Sequence, residues 1–161
     1  MRQRVYIETS IPSFYYEVRS DPEMVARREW TRTWWDRRSH YYELVSSIPV
    51  IEELEEGLHP RKTEVLQLVS KLPLLPIEEA IEEIVDAYIR HYVMPKDPRG
   101  DALHLALASY HRCHFLLTWN CEHLANANKF EHIRHINVVL GLFVPMLVTP
   151  LELLASREVE R

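Results

Sequence analysis

Short uninterrupted apolar runs alternate along this chain with longer stretches whose apolar positions recur at helical spacing. Val5-Tyr6-Ile7 is apolar throughout, the pattern of a strand covered on both faces, and predicts a strand over 4–8. Ser10 and Pro12 then predict a helix start, because proline fits the first turn, where its missing N–H costs nothing. Asp21-Pro22 predicts a longer helix over 21–38 on the same grounds. A second strand is expected over 41–46, a short helix over 49–56, a helix over 61–71 and a minimal strand at Leu74-Leu75. Ile77, Ile81, Ile84, Val85, Tyr88 and Ile89 follow helical spacing and predict a helix over 77–89. Asp97-Pro98 predicts the cap of another helix reaching about Arg112, apolar on most sides and therefore deeply buried. Residues 115–118 read as a strand, His132 and His135 as part of a polar helix, and Thr149-Pro150 as the start of a last, short helix. Strands separated by helices require crossovers, so the fold class is α/β with a mainly parallel central sheet.

The length of 161 residues suits one domain with its own core, expected over 1–155, with a short charged tail at 156–161. Apolar residues at 47% and charged residues at 27% are globular values, and neither a repeat nor a linker interrupts them. No apolar run approaches the roughly eighteen residues of a membrane span. The apolar run behind Met1-Arg2-Gln3-Arg4 is too short for a signal peptide, and Cys113 and Cys121 make no disulfide framework. The expectation is a cytoplasmic protein away from the membrane. Three glycines exclude a Gly-rich phosphate loop and a dinucleotide fingerprint. A net charge of −5 disfavours non-specific binding through many phosphate contacts, so any contact with nucleic acid must use a local basic patch or a metal.

Open parallel sheets bind ligands beyond the C-terminal ends of their strands, and four oxygen-bearing side chains are expected there. Glu8 ends the first strand and Asn120 follows the strand at 115–118. Asp101 lies in the first turn of a buried helix, where the macrodipole favours an anion. Glu53 lies in the helix after the second strand. In that helix Val50, Ile51 and Leu54 define the buried face at about 100° per residue, so Glu52 points away and Glu53 flanks the core. Mg²⁺ and Mn²⁺ take hard oxygen ligands, commonly one or two carboxylates with waters and substrate phosphate. Carboxylates gathered without a cation repel one another and raise each other's pKa. Singly, each residue has a plainer reading: Asp101 as a first-turn acid, Asp97 as an N-cap, Glu52 to Glu56 as a solvated acidic run. The set carries the metal reading.

Val5-Tyr6-Ile7-Glu8-Thr9-Ser10 resembles the opening strand of PIN domains, usually apolar-apolar-Asp-Thr-Ser. Glu53, four residues before Gly57, resembles the second family acid. Gly100-Asp101-Ala102-Leu103-His104-Leu105-Ala106 resembles the third motif, and Leu116-Leu117-Thr118-Trp119-Asn120 the fourth. The order and spacings run over essentially the whole chain. The resemblance implies a Rossmann-like α/β/α sandwich and a Mg²⁺- or Mn²⁺-dependent nuclease. For a small stand-alone chain it implies a VapC-type toxin that cleaves RNA, works as a homodimer and is restrained by a small antitoxin. Carried over by position, Glu8, Glu53, Asp101 and Asn120 form the metal-binding quartet, and Thr9, Ser10 and Thr118 orient them. Two departures stand out: Glu8 replaces an Asp, and Asn120 replaces a common fourth acid, which weakens a second-ion site. They leave open the alternative of a PIN-fold module that binds RNA or a protein without cleaving.

Other candidates are secondary. Arg28, Arg32 and Trp35 share a face of the 21–38 helix, an expected RNA or partner surface, while Ala26, Trp30 and Trp34 recur at core spacing. His104 shares a helical face with Asp101 and is an additional site candidate, as is Asp97. A zinc site joining Cys113 and Cys121 is rejected: the strand between them separates the two by about 20 Å.

Overall fold

The computed structural model describes residues 1–94 and 100–154. Four strands form one all-parallel sheet in the order β2-β1-β3-β4: β1 is Arg4–Ile7, β2 Glu43–Val45, β3 Phe115–Leu117 and β4 Met146–Val148. Between them lie α1 (Ser10–Tyr15), α2 (Pro22–Arg37), α3 (Ile48–Glu56), α4 (Lys62–Ser70), α5 (Glu79–Arg90), α6 (Asp101–Tyr110) and α7 (Ala127–Val139). Val5, Tyr6 and Ile7 are all fully buried: β1 is paired on both edges and covered on both faces, as its unbroken apolar run requires.

Successive side chains of a strand point to opposite faces, and the core divides accordingly. Tyr6, Val45 and Leu116 join a cluster built from α3 to α7. Val5, Ile7, Leu117 and Val148 join the other, with Ile11 from α1, Trp34 from α2 and Trp119. The result is the α/β/α sandwich. Trp34 has no exposed surface, and truncating so large a buried aromatic costs about 3–5 kcal/mol. The periodicity of α5 is realised, with Ile81, Ile84, Val85 and Tyr88 all buried. Tyr88 donates to Asn137 Oδ1 at 2.6 Å, and Asn137 Nδ2 donates to Ser109 Oγ at 2.9 Å and to the Phe143 carbonyl at 3.0 Å, so α5, α6 and α7 share one polar tie.

Several expectations change. Leu74 makes only an isolated bridge to Ser46, because Pro73 and Pro76 flank the pair and limit its ladder. Residues 39–41 form a 3₁₀ turn before a shorter β2. Where the last helix was expected to start, residues 150–153 form turns, with Glu152 Oε1 accepting from the Thr149 backbone and hydroxyl. The edge strand β4 was not anticipated, and α7 only as a polar helix around His132 and His135. Asp97, with the cap it was expected to form, lies outside the described residues; α6 begins at Asp101. No helix among the described residues is long and apolar enough to cross a membrane.

The chain leaves β1 towards β2 and leaves β3 towards β4 on the other side, so the topological switch falls between β1 and β3. Ligands of such sheets bind in that crevice. Glu8 and Thr118 directly follow these two strands.

Candidate metal centre

Glu8 is 7% exposed and tightly bound at one oxygen. Its Oε1 accepts from Ser10 N at 3.1 Å, Ser10 Oγ at 2.5 Å and Thr118 Oγ1 at 2.6 Å. These donors come from the start of α1 and the end of β3, so both strands of the switch point define where the carboxylate sits. Ser10 Oγ also accepts from the backbone N–H of Trp119 at 2.8 Å.

Glu53 reaches the same place from α3. Its Oε1 accepts from Thr9 Oγ1 and, at 2.9 Å, from His104 Nε2. Partial burial pushes the Glu53 carboxyl up, but the His104 bond and charge and the Thr9 hydroxyl outweigh it and hold it below its usual range. His104 is buried, which disfavours its charge, yet the bond to Glu53 and the charges of Glu53, Glu8 and Asp101 raise its pKa. One ligand-type atom each from Glu8, Glu53 and His104 lies within 4.8 Å of the others.

Asp101 and Asn120 form a second pair, outside that group. Asn120 Nδ2 donates to Asp101 Oδ1 at 2.8 Å, and Asn120 Oδ1 accepts from the backbone N–H groups of Glu122 and His123 at 3.2 and 3.0 Å. Two N–H donors on one atom identify it as the carbonyl oxygen. In this arrangement that oxygen caps a turn. Asp101 opens α6 behind Gly100, whose φ of +68° and ψ of −120° suit glycine alone. A Cβ at Gly100 would lie 3.8 Å from Glu53 Oε2, so the Glu53 side chain reaches from α3 to the start of α6. Lys129 of α7 stands near Asp101; its burial lowers its pKa, and Asp101 and Glu122 oppose that.

The expected orienting residues Thr9, Ser10 and Thr118 thus bond to Glu53 and Glu8. Glu52 is exposed and Glu53 half-buried, as the helical angles required. Arg28, Arg32 and Trp35 turn towards α1: Arg32 Nε donates to the Tyr15 carbonyl at 2.7 Å with its guanidinium over the Tyr15 ring, Arg28 Nη1 donates to the Glu17 carbonyl at 3.4 Å, and Trp35 meets Tyr15 edge-on. Only part of each remains for a partner.

Three neighbours of the site escaped the sequence reading. Tyr6 and Ser47 join His104 in a buried chain of hydrogen bonds; the one signal was a hydroxyl-bearing Tyr in a strand otherwise purely apolar. Arg27, one turn before Thr31 on α2, lies over both Phe14 and Trp119, 5.6 and 5.1 Å from their ring centres, beside the Thr118–Asn120 segment. Its place in the sequence, within an arginine-rich helix, did not separate it from Arg28.

Glu8 and Glu53 offer hard carboxylate oxygen at short range, which fits a hard divalent cation and does not suit a soft metal. A sandwich of this topology with acids at its switch point presents a possible site for a divalent cation. Residues 5–127 match the sequence model of the PIN domain, and the chain belongs to the PIN domain family, whose members are in general metal-dependent nucleases. Comparisons with curated proteins and with solved structures return no match.

Proposed function

We propose that this PIN domain is an endoribonuclease that hydrolyses RNA phosphodiester bonds with Mg²⁺ or Mn²⁺, and that it is the toxin of a toxin–antitoxin pair, cytoplasmic, dimeric and restrained by a small antitoxin. One observation carries the catalytic part: two ionisable carboxylates, Glu8 and Glu53, converge at the switch point of the sheet. Glu8, Glu53 and Asp101 would hold the cation. When bound, the ion supplies Lewis-acid polarisation of a phosphoryl oxygen and lowers the pKa of water.

The chain's own residues set the geometry. Ser10 and Thr118 hold Glu8 by one oxygen, Thr9 and His104 hold Glu53 likewise, and Asn120 holds Asp101. Ligands locked in this way lose little freedom when a cation and a phosphodiester arrive. The adjoining cleft of about 430 Å³, bounded by Glu52, Glu53, Glu56 and Gly100, is acidic. RNA approaching from that side requires a cation between its phosphates and the protein.

The test is cleavage of a mixed RNA pool with Mn²⁺ or Mg²⁺, against EDTA and Asp101→Ala. Metal-dependent cleavage lost in both controls supports the reading; cleavage that survives Asp101→Ala sinks the site assignment. Growth arrest on expression, absent in Glu8→Gln, tests the toxin role. The second reading, a module that binds RNA or protein without cleaving, is favoured by the engagement of Asn120 Oδ1 with two backbone donors. It predicts an intact fold with no cation bound in calorimetry.

A further inference from the structure

We propose that His104 is a positioning residue for Glu53 and not a cation ligand, the last link of a buried chain Ser47–Tyr6–His104 that engages one oxygen of Glu53 and leaves the other for the cation. The inference rests on the metal-centre reading above. Ser47 Oγ and the Tyr6 hydroxyl are 2.6 Å apart, the Tyr6 hydroxyl and His104 Nδ1 2.7 Å, and His104 Nε2 and Glu53 Oε1 2.9 Å. Ser47 and Tyr6 have no exposed surface and His104 has 1%, whereas the Glu53 side chain is 31% exposed. The chain therefore runs from the core to a carboxylate at the crevice.

Hydrogen-bond geometry defines the role of the ring. Nε2 is engaged by Glu53 Oε1. The other nitrogen, Nδ1, is taken by the Tyr6 hydroxyl and faces the interior. For His104 to become a ligand, the ring would have to release one of these partners from a position that is 1% exposed. The 4.8 Å grouping of Glu8, Glu53 and His104 is thus a pair of ligands and a brace.

The same design recurs at Glu8. Its Oε1 takes three donors, as Glu53 Oε1 takes two, from Thr9 and His104. Each carboxylate is held by one oxygen and offers the other. Fixing ligand carboxylates through outer hydrogen bonds of this kind typically changes metal affinity 10–100-fold, or on that order.

The experiment loads wild-type protein with Mn²⁺ alone and records electron spin-echo envelope modulation, with Mn²⁺ affinity measured by calorimetry for wild type, Tyr6→Phe, His104→Gln and His104→Leu. The expected result is bound Mn²⁺ without a directly coordinated nitrogen. Affinity should fall roughly 10–100-fold in His104→Leu, fall less in Tyr6→Phe, and stay within a few-fold of wild type in His104→Gln, whose amide N–H can reach Glu53. A coordinated nitrogen in the wild-type spectrum, or a loss in His104→Gln equal to that in His104→Leu, overturns the inference while the metal centre stands. No Mn²⁺ binding by wild type overturns both. The wild-type spectrum decides even if a variant fails to fold.

Discussion

Asn120 donates to Asp101 through its amide nitrogen at 2.8 Å and caps the following turn through its carbonyl oxygen. A neutral amide at this position lets β3 and α6 meet without a second negative charge. An aspartate would keep the turn cap but replace an attraction to Asp101 with a repulsion. Asn120→Asp is therefore expected to lower the melting temperature by a few degrees in EDTA, about 1 kcal/mol for a domain of this size. Mn²⁺ should raise it by more than in wild type, since binding to the folded state stabilises by mass action. Equal melting temperatures in EDTA would show that the pair carries no weight.

Glu8 is the acid most firmly held by the strand ends. Glu8→Gln preserves shape while removing the charge a cation needs. RNA cleavage should drop on the order of 10²-fold or more, several kcal/mol of lost stabilisation. A gel assay with matched circular dichroism spectra checks this, and cleavage within a few-fold of wild type would remove Glu8 from the site.

Asn137 satisfies Tyr88, Ser109 and the Phe143 carbonyl from a fully buried position. Replacing it with leucine strands the Phe143 carbonyl and leaves Tyr88 and Ser109 only their mutual 3.2 Å bond, at about 1–3 kcal/mol for each group left unsatisfied. Urea unfolding should show a loss of at least about 2 kcal/mol, larger than for any single exposed substitution on α7. A loss below 0.5 kcal/mol, roughly the scatter of surface changes, would contradict the assignment.

The two thiols should differ sharply. Burial pushes Cys113 up to about 12, against a smaller lowering by Arg4 and with Glu43 adding to the rise, from an ordinary value of 9.0; Cys121 is exposed. A folded thiol pKa above the unfolded one means the unfolded chain releases its proton first. Stability from Cys113 is complete below about pH 9 and declines as pH rises towards 12. Iodoacetamide at pH 8 should label one thiol in the native protein and two in denaturant. In Cys113→Ala the fall in stability above pH 9 should be shallower. Rapid native labelling of both thiols would refute the burial.

The helix over α5 was legible because Ile81, Ile84, Val85 and Tyr88 fall on one buried face, with Ile89 at its margin; Ile77 lies before the helix and is exposed. The central strand was legible because Val5-Tyr6-Ile7 has no polar position to give water. By contrast β4 escaped: Met146-Leu147-Val148 is a three-residue edge strand, half-covered, and so short a run carries no period. The polar helix α7 was seen only in part, since it buries just Ile133, Ile136 and Asn137. At the expected last helix the described residues stop at turns, although Glu152 bonds back to Thr149 as a helix cap does.

What the amino-acid order alone determined was the parallel α/β architecture, the four segments that reach the ligand-binding edge, and the inward lean of Glu53 over Glu52. These follow from periodicities of two and 3.6 residues and from chain caps, all of which are local. Only the tertiary structure decided which oxygens are engaged. The brace on Glu53 joins Tyr6, Ser47 and His104, up to 98 positions apart, and the Asn120–Asp101 bond joins β3 to α6. Hydrogen-bond geometry between such distant residues depends on how the sheet packs its helices, to within a few tenths of an ångström, and no local pattern of side chains encodes that.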